Sequence, residues 1–263
     1  AALGAEVDMA AKVGKDPFGM HIVELLNEMG VNTKWVLQDS NHFTTFAFVS
    51  LMEDGERDFY FNRGADGQLS TEDLSGLNLK EYSIVHFGSA TGFLPGPLQD
   101  AYLDLLEKSK KAGAIISFDP NYRHLLFPNN TKSFIDQCWP FIEQSHFFKL
   151  SDEEAMLITG CDSVQHAAAA LRKKSKAVFA ITMGKEGTLL SMGDHLEMIG
   201  SIAITPVDAT GAGDAFWTGF LYVQIQNKTI EESMSIAQKL ATIKLQNVGR
   251  LPDNINLNQI LQG

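Results

Sequence analysis

Cysteine is scarce, with only Cys138 and Cys161 in 263 residues. Two such thiols supply neither a disulfide framework nor metal-ligand spacing, and they point to a reducing, cytoplasmic location. Basic residues are also few. Lys and Arg total 21 against 32 Asp and Glu, for a formal net charge of −11. That balance argues against nucleic acid or an anionic membrane as the main partner. A small anion stays open, because backbone N–H groups at a helix start bind phosphate without a basic side chain. No apolar run approaches a membrane span. The opening residues, Ala1 to Val7, have no basic n-region and too short an apolar stretch for a signal peptide. A Walker P-loop, a Rossmann Gly-x-Gly-x-x-Gly and internal repeats are all missing. His21, His86, His124, His166 and His195 have no paired ligand spacing and read as structural.

What remains suits one large domain, or a domain with a smaller appendage. From Tyr82 onward, strand and helix patterns alternate. Tyr82–Phe87 reads as a strand, and a helix opens near Pro97 with Leu98, Tyr102, Leu105 and Leu106 on one face. Ala114–Phe118 is again strand, ending at the turn Asp119-Pro120-Asn121. Phe147–Leu150 is a strand, with helix from Ser151 to Gly160. A helix over Val164–Lys174 leads into strand Ala177–Thr182, and the Gly193-Asp194 turn separates strands Thr188–Met192 and Leu196–Thr205. Helices near Gly213–Gln226 and Ile230–Gln246 follow. Such alternation predicts a parallel sheet with helices on both faces.

The N-terminal third reads differently. Asp16-Pro17 starts a helix, with Asp as N-cap and Pro in the first turn. Phe18, Ile22, Leu25, Leu26 and Met29 are its expected buried stripe, and Gly30 stops it. Phe46–Met52 and Arg57–Phe61 flank Glu53-Asp54-Gly55-Glu56, a hairpin signal. Strands without an intervening helix predict a small antiparallel sheet beside the main domain, either a lid or a dimer surface.

The chemistry concentrates in Asp208-Ala209-Thr210-Gly211-Ala212-Gly213-Asp214-Ala215-Phe216. Small residues at 211 to 213 let the backbone approach a ligand and turn its N–H groups into one concavity. With the helix start behind it, this makes an anion hole for a phosphoryl group. Asp214 falls in the first turn, where its ionised form is favoured and can accept a proton. Taken alone, Gly-Ala-Gly-Asp reads first as a glycine-rich strand-to-helix turn with a favourable first-turn carboxylate.

The whole nine-residue string resembles the C-terminal signature of the ribokinase-like (PfkB) carbohydrate kinases, departing only at Ala209, where Thr is common. Gly4 and Gly14 match the spacing of the two glycines that end the family's N-terminal signature, and further matches run the length of the chain. The resemblance implies a three-layer αβα sandwich with a mostly parallel sheet. A small antiparallel β lid, mainly within 31–66, would belong to the same kinase domain over 1–263. Because the chain starts inside the N-terminal signature, the resemblance also implies that the first strand of the family fold, with its sugar-holding residues, is missing.

By resemblance, Asp214 is the base that takes the proton from a sugar hydroxyl, while Gly211, Ala212 and Gly213 stabilise the transferred γ-phosphoryl of ATP. Asp208 and Thr210 correspond to positions beside a monovalent-cation (K⁺) site, and read equally as a capping Asp and a turn Thr. Thr182, Gly184 and Gly187 match a loop lying along the nucleotide. Lys149 and Glu154 fall in the segment whose Glu acts through water on Mg²⁺. Here Ser151 replaces the family's Asn, and Ser-x-x-Glu is also a capping box. Asn247 falls where the family closes over adenine, or simply ends a helix. On the sugar side, Asp119-Pro120-Asn121-Tyr122-Arg123 follows a strand at its carboxyl end, where open α/β sheets bind ligands. Asn121 and Arg123 there, and Arg63 in Arg63-Gly64-Ala65-Asp66, resemble the fructokinase branch. Arg63 reads equally as a solvated charge. The implied activity is ATP-dependent phosphorylation of a free sugar, most similar to fructokinases. Ribokinase or 2-keto-3-deoxygluconate kinase specificity is the neighbouring alternative, and a non-catalytic sugar- or nucleotide-binding member is the contrasting one.

Overall fold

The computed structural model describes residues 1–51, 57–249, 251–252 and 255. Its central sheet has six strands, in the order His195–Ile199, Thr188–Met192, Val178–Thr182, Phe147–Ser151, Ile115–Asp119 and Ile84–Gly88, and the chain forms two compact units.

The unit over Glu6–Phe147 begins with strands the sequence pattern did not announce. β1 (Val7–Asp8) pairs in parallel with β3 (Val31–Asn32), and β2 (Ala11–Gly14) with β4 (Val36–Asp39). Between them lies α1 (Pro17–Glu28). Asp16 caps it through Oδ1, which accepts from Gly19 N at 2.9 Å. Its Oδ2 accepts from Thr44 N at 2.7 Å, and the Thr44 hydroxyl donates to Oδ1 at 2.8 Å. Those N–H donors, Gly19 first, hold the Asp16 carboxyl below the usual carboxylate range.

The expected buried stripe of α1 is corrected. Only Gly19 is buried, and Phe18 is 64% exposed. Periodicity identifies an apolar face but cannot supply the surface that covers it. Phe18 instead meets Phe46 edge-on at 5.7 Å. Phe46 belongs to β5 (Phe46–Leu51), which pairs antiparallel with β6 (Arg57–Asn62) as expected. The predicted turn over 53–56 lies outside the described residues.

Further along, β7 (Ile84–Gly88) pairs in parallel with β8 (Ile115–Asp119), separated by α2 (Pro97–Ala112) and followed by α3 (Thr131–Gln144). The core here is aromatic. Phe141 contacts Phe87, Phe93 and Phe118 at centroid distances of 5.3, 5.2 and 5.2 Å. Tyr102 from α2 donates to Gly88 O at 2.6 Å, and burial pushes its phenol up to about 12.

The other unit comprises Ala1–Ala5 and Phe148–Gly263. Its elements are β9 (Phe147–Ser151), α4 (Asp152–Thr159), α5 (Val164–Lys174), β10 (Val178–Thr182), β11 (Thr188–Met192), β12 (His195–Ile199), α6 (Ala212–Ile225) and α7 (Ile230–Leu245). β10, β11 and β12 pair antiparallel, so the sheet is mostly, not wholly, parallel. The strand expected over Ile202–Thr205 is absent. β12 stops at Ile199, opposite Thr188, where β11 begins and pairing ends. β-branched residues without a neighbouring ladder do not make a strand, and Ile202 is exposed. Gly200 O accepts from Gln238 Nε2 at 2.6 Å instead.

α6 and α7 pack against each other at Gly219. A methyl group there would meet Leu240 Cδ1 at 2.8 Å and Ala237 Cα at 3.0 Å. Val223, Ile236 and Leu240 bury Leu3 between them. No helix among the described residues is long and apolar enough to cross a membrane.

Phe141→Ala is expected to lower stability by about 3–5 kcal/mol, and Phe18→Ala to change it by less than about 0.5 kcal/mol, measured as urea midpoints. A Phe18 cost as large as that of Phe141 would contradict the exposed α1 face. Asp16→Asn should be the less stable protein at neutral pH. A depressed native carboxyl pKa stabilises the fold above the unfolded value, ~3.9. The gap between the two proteins should therefore close as pH falls through the lower native value.

Candidate active site

In the second unit, α4, α5 and α7 are capped by the side chains of Ser151, Ser163 and Thr229. α6 is not. Its N-cap is Gly211, in the left-handed conformation at φ +76° and with no side chain to cap the helix. A non-glycine residue would be strained there. Among the described residues the N–H groups of Gly211 and Gly213 find no acceptor, while that of Ala212 closes a turn onto Ala209 O at 3.2 Å. Two N–H groups and the positive end of a 14-residue helix therefore face one spot. The Asp214 carboxylate lies beside the loop, with Oδ2 3.9 Å from where a methyl group at Gly211 would stand. Asp214 itself is exposed.

Two buried lysines back this loop. Lys149, on β9, would approach a methyl group at Gly213 to 3.4 Å with Nζ. Lys244, in the last turn of α7, would bring Cε within 3.6 Å of one at Gly211. Lys149 was singled out from sequence, and Lys244 was not. A lysine ending an amphipathic helix suggests solvent and a favourable helix dipole. Only the side chain's return beneath the neighbouring loop reveals its burial.

Lys244 Nζ donates to Asn247 O at 3.0 Å and lies 3.4 Å from Asp208 Oδ2. Asp208 Oδ1 accepts from Thr210 N at 2.9 Å. The Thr210 N–H and hydroxyl, with Lys244 beside them, hold the Asp208 carboxyl far below the usual carboxylate range. Asn247 spends its amide Nδ2 on Ile243 O at 2.7 Å, ending α7.

Glu154 is buried in the capping box. Its Oε2 accepts from Ser151 N at 2.8 Å, and Ser151 Oγ accepts from Glu154 N at 3.1 Å. No group of three or more His, Cys, Asp or Glu side chains converges among the described residues. Thr182 Oγ1 donates to Leu150 O at 3.3 Å, tying β10 to β9. Gly184 and Gly187, in the following turn, both have positive φ, and Met183 N donates to Gly187 O at 2.8 Å.

The remaining candidates lie in the Glu6–Phe147 unit. Asn121, at φ +49°, turns the chain at the carboxyl end of β8, and Ser89 Oγ donates to the neighbouring Pro120 O. Arg123 is exposed, with Nη1 on Tyr122 O at 3.1 Å. Arg63 donates to Pro95 O at 2.6 Å and Thr91 O at 3.3 Å, with Nε 3.7 Å from Asp66 Oδ2. It is braced by backbone carbonyls and is not a solvated charge.

Comparison with known proteins identifies the family and the fold. The profile of the pfkB family carbohydrate kinases matches residues 1–255. Fructokinase-1 of Zea mays is 31% identical, over 99% of this chain and 83% of its own length. An uncharacterized sugar kinase from Pyrococcus horikoshii, solved in complex with ATP, superposes with a TM-score of 0.86. It is 25% identical, and the match covers 100% of this chain and 84% of that one. A fructokinase double mutant from Vibrio cholerae, in fructose, ADP and potassium ion bound form, gives 0.87 at 22% identity, covering 99% and 86%. The chain is a member of the pfkB family of carbohydrate kinases and has its ribokinase-like α/β fold.

Proposed function

We propose that the protein transfers the γ-phosphoryl group of ATP to a hydroxyl of a free sugar, with fructose as the preferred acceptor. The observation that carries this reading is the uncapped start of α6, with the Asp214 carboxylate beside Gly211. Phosphoryl transfer needs little from a protein beyond positioning and stabilisation of charge on the transferred group. The N–H groups of Gly211 and Gly213 are placed to meet that charge as it develops, and Ala212 N–H would join them if its turn bond opened. Asp214 takes the proton from the attacking hydroxyl. Lys149, buried behind Gly213, is the residue we assign to neutralising phosphate oxygens.

Thr182, Gly184 and Gly187 are the loop we assign to the nucleotide's flank, and Asn247 to the neighbourhood of its base. A divalent ion bound with the phosphates would neutralise part of their charge. Glu154 is the carboxylate we assign to its water shell. For the sugar we assign Arg63, Asn121 and Arg123, with the β5–β6 hairpin as its cover and as a candidate homodimer contact. Similarity to Zea mays fructokinase-1 supports fructose over other sugars. Free thiols at Cys138 and Cys161 suit a reducing cytoplasm.

Purified protein with Mg-ATP should release ADP only when a sugar is added, fastest with fructose in a panel that includes ribose and 2-keto-3-deoxygluconate. Sugar-independent or absent ADP release from folded protein would sink the kinase reading. A different preferred sugar would overturn the fructose assignment alone. Asp214→Asn should lower kcat by roughly 10²–10⁴-fold while leaving ATP binding, followed by calorimetry, nearly unchanged. Full turnover in that variant would remove Asp214 from its role.

A further inference from the structure

Most of the charged side chains are at the surface, where water screens them. Lys244 is only 5% exposed. A buried ammonium is costly unless it is paired and hydrogen-bonded. This one is both, through the Asp208 carboxylate and the Asn247 carbonyl. Those oxygens are hard donors of the kind that bind alkali cations, and Asp208 with Thr210 occupies the positions that the family resemblance set beside a potassium site. The donor set does not fit an additional free potassium ion. Its carboxylate and carbonyl already face a fixed monovalent cation carried by the chain itself. Adding a second positive charge beside Nζ, with one carboxylate to share, would be repulsive.

The location also gives the ammonium something to do. Its Cε reaches the underside of Gly211, and Asp208 Oδ1 takes the N–H of Thr210, one residue before the loop. The charge is thus tied through one carboxylate to the backbone that presents the anion hole. It comes from the end of α7, which packs on α6 at Gly219. We propose that the Lys244 ammonium replaces a monovalent cation at the Gly211–Gly213 loop, so that this kinase works without potassium. The inference rests on the kinase reading for its catalytic consequence, and on geometry alone for the occupied site. Lys244 is a positioning residue: it fixes Asp208 and the loop, and Asp214 does the chemistry.

The test compares wild type with Lys244→Ala in potassium, ammonium, sodium and tetramethylammonium chloride at equal ionic strength. Initial rates, MgADP affinity by calorimetry and the thermal unfolding midpoint are read in each. Wild type should vary by less than about twofold in kcat and in MgADP affinity across the series. Lys244→Ala in tetramethylammonium should lose roughly tenfold in kcat, on the scale of a lost charge-assisted contact. Potassium or ammonium should restore most of that loss, and a merely structural lysine would not produce such rescue. Potassium activation of wild type by tenfold would overturn the proposal, as would a Lys244→Ala rate indifferent to the cation.

The unfolding midpoint needs no turnover, so it separates this inference from the kinase reading. Selective stabilisation of Lys244→Ala by potassium supports it even if no sugar is phosphorylated, and an equal response in both proteins overturns it. Should Lys244→Ala fail to fold, the wild-type series decides. Potassium-selective stabilisation of wild type sinks the idea, and a flat response upholds it.

Discussion

The close approach of α6 and α7 is the constraint on which the rest of the site depends. Gly219 lets the two helices pack with a Leu240 methyl and the Ala237 backbone where a side chain would otherwise stand. That contact sets the last turn of α7 beside the first turn of α6. One helix then presents an open N-terminus while the other returns a lysine beneath it. The two helix ends that meet here are opposite in sign. The start of α6 is the positive end of its dipole, and the negative end of α7 is met by its own Lys244. The neighbouring Val207 N donates to Leu245 O at 2.7 Å, so the segment entering the loop is anchored to the same helix end.

The anionic ligand of an anionic protein poses no paradox in this arrangement. The net charge of −11 is spread over a surface whose fields are screened beyond roughly a Debye length, ~8–10 Å. At the loop, two N–H groups, a helix terminus and the buried Lys149 and Lys244 act at contact range in a region partly removed from water. Local preorganised charge would govern anion binding there, and overall charge governs solubility and encounter. Composition speaks to overall charge and says nothing about how an anion would be received at such a loop.

The parts of the fold legible from sequence were those whose cause is local. α5 runs from Val164 to Lys174 and β11 from Thr188 to Met192, both as the pattern predicts, because caps and turns bound them. The α6 start was legible for the same reason, since glycine at 211 answers to a positive φ. Failures came where a neighbour decides. The apolar stripe of α1 was read correctly as a pattern and wrongly as buried, because no covering surface is written in its own twelve residues. Ile202 to Thr205 carry strand-forming side chains, yet β11 has no residue left to pair with them. The short parallel pairs β1–β3 and β2–β4 are too brief to show a period.

The site divides along the same line. Gly211, Gly213 and Asp214 belong to one contiguous signature and were found together. Arg63 illustrates the opposite case, since whether it is solvated or braced depends on the carbonyls of Thr91 and Pro95, 28 and 32 residues away in sequence. Glu154 lies between these extremes. Its spacing from Ser151 announced both a capping box and a phosphate-site carboxylate, and the capping box forms through one carboxylate oxygen. A carboxylate has two oxygens and about four lone-pair sites, so the two uses need not compete. The cap fixes the rotamer and the burial of Glu154, which is what a group acting through ordered water requires. In that sense the local structural motif is the device that positions the candidate ligand, and the presence of one is no argument against the other.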